Sequence, residues 1–263
     1  MPKEKYKAGG SVQKMKNRLL SIGRKFLPLA TRRKIIKLTR WPPMGMVRFG
    51  SLRRLKPISP DWGMERGQPI DRYYIELFLA GHTSDIQGRV LEIGDNSYTR
   101  RFGRARVTES VVLHVAEQKE HVTLIGSLTE PDTVPAESFD CFVVTQTLQV
   151  IYDVQTAVRT IYSGLKPGGV ALVTVPGISQ ISRYDMDRWG HYWSFTTRSV
   201  ENLFTAVFPR DHLQIESHGN VLAAISFLHG IASEELRPEE LDAVDPDYQL
   251  IITIRAMRPK VEL

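Results

Sequence analysis

A histidine surrounded by aromatic rings is the first candidate for chemistry in this 263-residue sequence. His191 lies in a segment that carries two Trp, one Tyr and one Phe within seven residues. An imidazole with an ordinary pKa of about 6.5 can be neutral and accept a proton at physiological pH. His191 is therefore the first candidate general base, Asp187 is the second, and Tyr192 completes the candidate catalytic set. The rings and carboxylates suit the apolar faces and hydroxyls of a sugar; a packed aromatic lid is the alternative.

A second candidate site lies where a short apolar strand runs into a turn. Residues 90–93 lead directly into Gly94, Asp95 and Asn96, and the strand carries one acid, Glu92. In open α/β sheets, ligands bind beyond the carboxyl ends of the strands, where the strand order reverses. Asn and Asp tolerate left-handed backbone better than most residues, so the turn can form without further glycines. These four residues are therefore candidate ligand-binding residues.

Apolar patterns and turn residues predict the elements that must position these groups. Strands are expected at 88–93, 111–115, 122–125, 139–146, 170–175, 212–218 and 248–256. Helices are expected from Pro69 or Asp71 to about Ala80, from a cap at Asp153 to Tyr162, and at 199–208 and 220–230. Alternating strands and helices imply right-handed crossovers and a parallel sheet. The predicted fold class is α/β.

The order of three short motifs resembles a known family. Val90-Leu91-Glu92-Ile93-Gly94 is followed by Phe139-Asp140 at a strand start and by Leu165-Lys166-Pro167-Gly168-Gly169 before the next strand. In this order they resemble the class I S-adenosylmethionine-dependent methyltransferases over about residues 87–208, and further toward 256. The resemblance implies a Rossmann-like, seven-stranded, mostly parallel sheet with an antiparallel last strand and helices on both faces. It also implies S-adenosyl-L-methionine as the cofactor.

The resemblance assigns cofactor-binding residues to the strand ends. The set is Glu92, Gly94, Asp95, Asn96, Glu117, Ser127, Leu128, Thr145 and Gln146. Glu117 is loosely placed after the second strand, where the family has an acid for the ribose hydroxyls. Ser127 stands where the family commonly has an Asp for the adenine amino group. The chain also departs from the family at 95–98, where glycine-rich residues are usual.

The basic charge of the chain is concentrated at its N-terminus. The net charge is +6, but residues 1–40 hold 13 Lys or Arg against the single acid Glu4. We therefore divide the sequence into a basic arm at 1–56 and an α/β domain at 57–263, with a helical insertion at about 219–247. Apolar residues interleave with the basic residues of 1–40, which suits an anionic membrane surface. A solvated arm and an RNA contact are the alternatives.

Several features argue against other classes of protein. Cys141 is the lone cysteine, so one chain offers no disulfide partner and no cysteine metal site, and the histidines lack metal-ligand spacing. No secretory signal is visible, and no apolar stretch reaches the ~20 residues needed to span a bilayer. We expect a cytoplasmic protein, peripheral at the inner membrane face through its arm. Gly94-Asp95-Asn96 is not G-x-G-x-x-G, which argues against a nicotinamide dehydrogenase.

The aromatic segment favours one acceptor class. Residues 189–196 resemble the W-x-x-Y-W-R-F-T segment of methyltransferase-like proteins that accompany glycosyltransferases in surface-polysaccharide synthesis. The leading hypothesis is therefore methyl transfer to a sugar or glycan precursor. The altered 95–98 loop leaves open a degenerate binding module without catalysis, and the basic arm leaves open an RNA methyltransferase.

Overall fold

The computed structural model describes residues 41–115, 122–130 and 132–260, together with Pro28 and Thr31. The chain divides into two units, Met1–Arg54 and Leu55–Leu263. In the first unit, the described part contains a helical turn at Gly50–Leu52 and a contact of Arg53 with the ring of Phe49. The apolar pattern predicted for the basic arm falls mostly outside the described residues.

The described part of the second unit is built on one sheet of seven strands. The strands are β1 (Gly88–Ile93), β2 (Val107–His114), β3 (Leu124–Ile125), β4 (Phe139–Thr145), β5 (Leu165–Pro176), β6 (Leu213–His218) and β7 (Ile251–Met257). Their order is β3-β2-β1-β4-β5-β7-β6, and β7 runs antiparallel to both β5 and β6. The other neighbouring strands pair in parallel. The predicted α/β fold with an antiparallel last strand is confirmed.

Six α-helices are described in this unit. They are α1 (Ile70–Gly81), α2 (Val154–Gly164), α3 (Arg183–Arg188), α4 (Thr197–Thr205), α5 (Val221–Leu228) and α6 (Pro238–Leu241). Asp153 caps α2 as expected, because its carboxylate accepts a hydrogen bond from the Thr156 N–H at 3.0 Å. Asn220 caps α5 in the same way through the N–H groups of Leu222 and Ala223. None of the described helices is long and apolar enough to cross a membrane.

The sheet is covered on both faces. Side chains alternate across a strand, so Phe142 and Val144 of β4 pack in the cluster that includes α2 and α4, while Cys141 and Val143 pack with α1. Cys141 is fully buried, and burial raises the pKa of its thiol well above the usual value. Cys141 is therefore a core residue of the sheet.

The Leu165-Lys166-Pro167-Gly168-Gly169 segment lies inside β5, although the sequence predicts a turn there. Phe139 pairs with Leu165 and Cys141 with Val170, so the intervening residues bulge out of the ladder. Gly168 has a φ of +83°, and its N–H donates to the Arg258 carbonyl at 2.9 Å. The bulge therefore keeps strand pairing on both sides of the turn residues.

Smaller differences from the prediction occur at other strand ends. Strand β2 begins four residues earlier than expected, at Val107, because it pairs with β1 from Gly88 onward. Strand β7 begins at Ile251, where its pairing with Pro176 and His218 begins.

The start of β1 makes a testable demand on glycine. Gly88 has a φ of +66°, and an added Cβ would lie within 3.0 Å of the Asp140 side chain. That side chain is held in place by the Arg89 N–H and the Lys166 ammonium, both at 2.8 Å. We expect Gly88→Ala to lower the free energy of unfolding by about 2 kcal/mol in urea titrations.

The matched control is Gly81→Ala at the end of α1. No described atom lies within 4 Å of its added Cβ, and its backbone is outside the left-handed region. We expect a change within about 0.5 kcal/mol. Equal losses in the two variants would contradict the clash assigned to Gly88.

Candidate active site

A cavity of about 960 Å³ opens at the carboxyl ends of the central strands. It lies where the strand order reverses between β1 and β4, which is the usual ligand position in such sheets. Nine of the predicted site residues line it, namely Glu92, Gly94, Asp95, Ser127, Leu128, Thr145, Gln146, His191 and Tyr192. The fold therefore brings the cofactor and catalytic candidates to one cavity.

Two predicted residues, Asn96 and Asp187, are placed elsewhere. The Asn96 amide donates to Ser110 Oγ at 3.2 Å, and Asn96 does not line the cavity. Asp187 does not line it either, since its carboxylate pairs with Arg183 at 3.4 Å on the exposed side of α3. Glu117 falls outside the described residues. His191 is therefore the better placed of the two candidate bases.

The turn after β1 leaves room for a ligand. Gly94 has a φ of +87°, its N–H donates to the Leu113 carbonyl at 2.9 Å, and an added Cβ would meet no described atom within 4 Å. The Asp95 carboxylate accepts hydrogen bonds from the N–H and the hydroxyl of Ser97, at 2.9 and 2.7 Å. A side chain thus closes the loop without the expected glycines.

Glu92 fixes the next part of the chain from inside the sheet. Its side chain is only 2% exposed and accepts hydrogen bonds from the Tyr98 N–H at 3.2 Å and the Thr99 N–H at 2.7 Å. Burial raises the pKa of Glu92 to about 7, although these hydrogen bonds act in the opposite direction. The carboxyl group therefore holds the helical turn at Thr99–Gly103 against the end of β1.

The first helix contributes a cation to the cavity. Asp71 and Arg72 line it, and the Arg72 guanidinium donates to the Tyr98 hydroxyl at 3.1 Å. Burial opposes the charge of Arg72, but the neighbouring Asp71 and Tyr98 outweigh it and raise the pKa of Arg72. Burial raises the pKa of Asp71. The cavity therefore holds a charged guanidinium suited to a carboxylate.

The aromatic segment also contributes to the cavity, which His191 and Tyr192 line. The Tyr192 N–H donates to the Gln149 carbonyl at 2.8 Å, and the Trp193 indole N–H donates to the Ile151 carbonyl at 2.9 Å. Tyr152 stacks on Trp193 with ring centroids 6.2 Å apart, and meets Tyr192 edge-on at 5.3 Å. These rings remain partly exposed, so the segment offers aromatic surface at the cavity.

His191 lines the cavity, where its surroundings favour the neutral imidazole. Burial lowers its pKa, and the opposing effect of Asp185 is smaller. Its Nδ1 atom is buried and makes no hydrogen bond with any described residue. An imidazole in this state can accept a proton near neutral pH.

Sequence patterns missed several lining residues. Trp62 and Met64 come from the segment before α1, and Gln149 follows β4 in a turn. Gly63 and Gly67 mark the first segment as a turn, but a turn signal alone does not place Trp62 and Met64 at the cavity. Within the described residues, no group of three or more His, Cys, Asp or Glu could hold a metal ion.

Comparison with known proteins adds a family match. Residues 98–173 match the model of a methyltransferase domain family. This match, together with the sheet order, supports the class I methyltransferase family. The UbiE ubiquinone/menaquinone biosynthesis C-methyltransferase of Enterobacter sp. (strain 638) is 29% identical over 136 residues, which cover 49% of this chain and 51% of that protein. This methyltransferase-like chain thus spans about half the length of the curated relatives it matches.

Two solved structures show the extent of structural similarity. The N-methyltransferase NodS from Bradyrhizobium japonicum WM9, in complex with S-adenosyl-L-homocysteine, has a TM-score of 0.48 at 16% identity, covering 78% of this chain and 95% of that chain. A putative sarcosine dimethylglycine methyltransferase from Galdieria sulphuraria has a TM-score of 0.49 at 14% identity, covering 72% and 86%.

The raised pKa of Glu92 predicts a pH dependence of stability. In the native state Glu92 keeps its proton up to about pH 7, whereas in the unfolded state it loses the proton near pH 4.5. The contribution of this protonation to the free energy of unfolding is therefore complete below about pH 4.5 and is lost as the pH rises through 7. We expect Glu92→Gln to remove this loss. The unfolding free energy of the wild type minus that of the variant should fall by about 2 kcal/mol between pH 5 and 8. A difference that is constant over this range would contradict the assignment, since the two proteins share every other titratable group.

Proposed function

We propose that this chain is an S-adenosylmethionine-dependent methyltransferase that acts on a sugar or glycan precursor in cell-surface polysaccharide synthesis. The observation that carries the proposal is the open turn at Gly94 in the cavity at the strand-order reversal. A side chain there would occupy the cavity, and a cofactor that approaches the backbone needs this space. The methyltransferase family match over 98–173 supports the methyl-transfer part of the proposal.

The cofactor candidates divide between the two ends of S-adenosylmethionine. Gly94 and Asp95 would hold the methionine end, and Arg72 would pair with its carboxylate. Ser127 and Leu128 would face the adenine. The cofactor supplies an electrophilic methyl group when bound. The protein aligns the acceptor and excludes water, which is its main contribution to a displacement reaction.

The aromatic segment and Tyr152 would bind the acceptor. Tyr152 and Tyr192 offer aromatic surface for the apolar face of a sugar, and His191 would take the proton of the attacking hydroxyl. The basic residues of 1–40 would bring the enzyme to an anionic inner membrane face, where lipid-linked precursors lie. C-methylation is the second candidate for the reaction, because the curated relatives matched over half their length are named C-methyltransferases.

The proposal predicts binding that depends on Gly94. Calorimetric titration of the wild type should give micromolar affinity for S-adenosylmethionine and S-adenosylhomocysteine, about −8 kcal/mol. Gly94→Val should reduce both affinities at least 100-fold, because the side chain fills the ligand space. Wild-type protein that binds neither compound would support the degenerate binding module instead.

A matched variant separates lost space from backbone strain. Gly168 has nearly the same φ, +83°, but does not line the cavity, and its added Cβ would meet only the flexible Lys260 side chain. Gly168→Val should keep wild-type affinity at a similar cost in stability. Wild-type affinity in Gly94→Val would refute the assignment of the turn.

Arg72 predicts a ligand-specific effect. Charge-assisted hydrogen bonds contribute about 1.5 to 3 kcal/mol, so Arg72→Gln should weaken S-adenosylhomocysteine binding by about 10- to 100-fold. Methylthioadenosine lacks the amino acid carboxylate, and its affinity should stay within twofold. An equal loss for both ligands would contradict the pairing of Arg72 with the carboxylate.

A further inference from the structure

The segment 58–69 reaches the cavity because the insertion at 219–247 holds it there. Trp62 and Met64 of this segment line the cavity, and α1 follows directly with Asp71 and Arg72. The position of one cavity wall is therefore set by whatever fixes this segment.

The first contacts join the two backbones. The N–H groups of Ile58 and Ser59 both donate to the His229 carbonyl, at 2.9 and 3.1 Å. The Ser233 N–H donates to the Gln68 carbonyl at 2.8 Å, and Pro69 forms an antiparallel bridge with Ala232. The segment is thus held near both ends by the same stretch of the insertion.

Glycines allow the two backbones to approach closely between these points. Gly63 has a φ of +87°, and an added Cβ would lie 2.8 Å from the Gly230 carbonyl oxygen. An added Cβ on Gly230 would in turn clash with the Ser59 carbonyl, and one on Gly67 would lie 2.5 Å from the Glu234 carboxylate. Side chains at these glycine positions, in the segment 58–69 or in the insertion, would force the two backbones apart.

Two carboxylates of the insertion also bind the segment 58–69. The Arg66 guanidinium donates to both oxygens of Glu235, at 2.9 and 2.5 Å, and the Gln68 N–H donates to the Glu234 carboxylate at 2.9 Å. The hydrogen bond from Arg66 lowers the pKa of Glu235. The acidic residues at 234 and 235 thus have partners within the same domain.

Helix α1 is held by the same insertion. The Tyr74 hydroxyl donates to the Leu241 carbonyl at 2.8 Å, and the Tyr73 hydroxyl donates to Asp242 at 2.8 Å. Ile70 and Tyr74 pack with Phe227 in one buried cluster, and Trp62 packs against this cluster. The insertion therefore contacts the elements on both sides of Arg72.

We propose that residues 229–235 act as a clamp that positions the cavity wall formed by Trp62, Met64 and Arg72, with Arg66 and Glu235 as positioning residues. Neither residue lines the cavity, so each acts through the segment that it holds. The inference rests on the proposed function only in its choice of S-adenosylhomocysteine as a probe.

The test reverses the Arg66–Glu235 pair in the full chain. Arg66→Glu and Glu235→Arg should each speed amide hydrogen exchange in 58–69 at least tenfold and weaken S-adenosylhomocysteine binding about tenfold. The double swap, Arg66→Glu with Glu235→Arg, should recover most of both properties because the ion pair can form again, while the Ala232 N–H still lacks the Glu235 acceptor. If the contact were purely structural, the single substitutions would lower the unfolding midpoint, and the double swap would not restore the affinity for S-adenosylhomocysteine.

A distant ion pair provides the control. Arg198→Glu removes an exposed pair with Glu201 on α4 and should leave the exchange of 58–69 and the ligand affinity unchanged. Unchanged exchange in the Arg66 and Glu235 variants would overturn the clamp. Faster exchange with wild-type affinity would also overturn it, since the wall would then not depend on the segment. If the wild type binds no S-adenosylhomocysteine, the proposed function fails. The clamp is then tested by the amide hydrogen exchange of 58–69 alone, which should be faster in the single variants and slow again in the double swap.

Discussion

The site depends on a carboxyl group, that of Glu92, which is buried within the sheet. Glu92 lies within the sheet, where desolvation disfavours its ionised form, yet its two oxygens satisfy the backbone N–H groups of Tyr98 and Thr99. These N–H groups begin a helical turn and would otherwise lack acceptors. The same carboxyl group thus links the end of β1 to the start of the next helical turn. It thereby constrains the loop between them, which includes Gly94.

This arrangement explains how a loop without the family's glycines can keep the shape of the turn. Gly94 supplies the left-handed backbone, and the Asp95 side chain supplies acceptors that hold Ser97. Only Gly94 needs to be glycine for the ligand space, because its missing side chain opens directly into the cavity. The 95–98 loop is therefore shaped by hydrogen bonds of its own side chains.

Local signals predicted much of the fold and part of the site. The strand leading to Glu92, the cap at Asp153 and the placement of Thr145 and Gln146 at the end of β4 all follow from short-range patterns. Trp62 could not be predicted in the same way, because its position depends on contacts with residues more than 160 positions later. Asp187 shows a different limit. Helix α3 has no buried residue, so no apolar stripe indicates which of its side chains face the cavity.

The proposed methyl transfer to a hydroxyl would need two kinds of group from the cavity lining. Under that proposal, Arg72 and the glycine turn would hold the cofactor, and His191 of the aromatic segment would accept the proton. A lowered pKa keeps His191 neutral, but it also makes the imidazole a weaker base. An alcohol hydroxyl is a far weaker acid than an imidazolium ion, so His191 cannot remove its proton in advance. The proton must leave as the new carbon–oxygen bond forms, when the hydroxyl becomes strongly acidic. The alignment of the acceptor with the cofactor and with His191 would therefore matter more to such a reaction than the strength of the base.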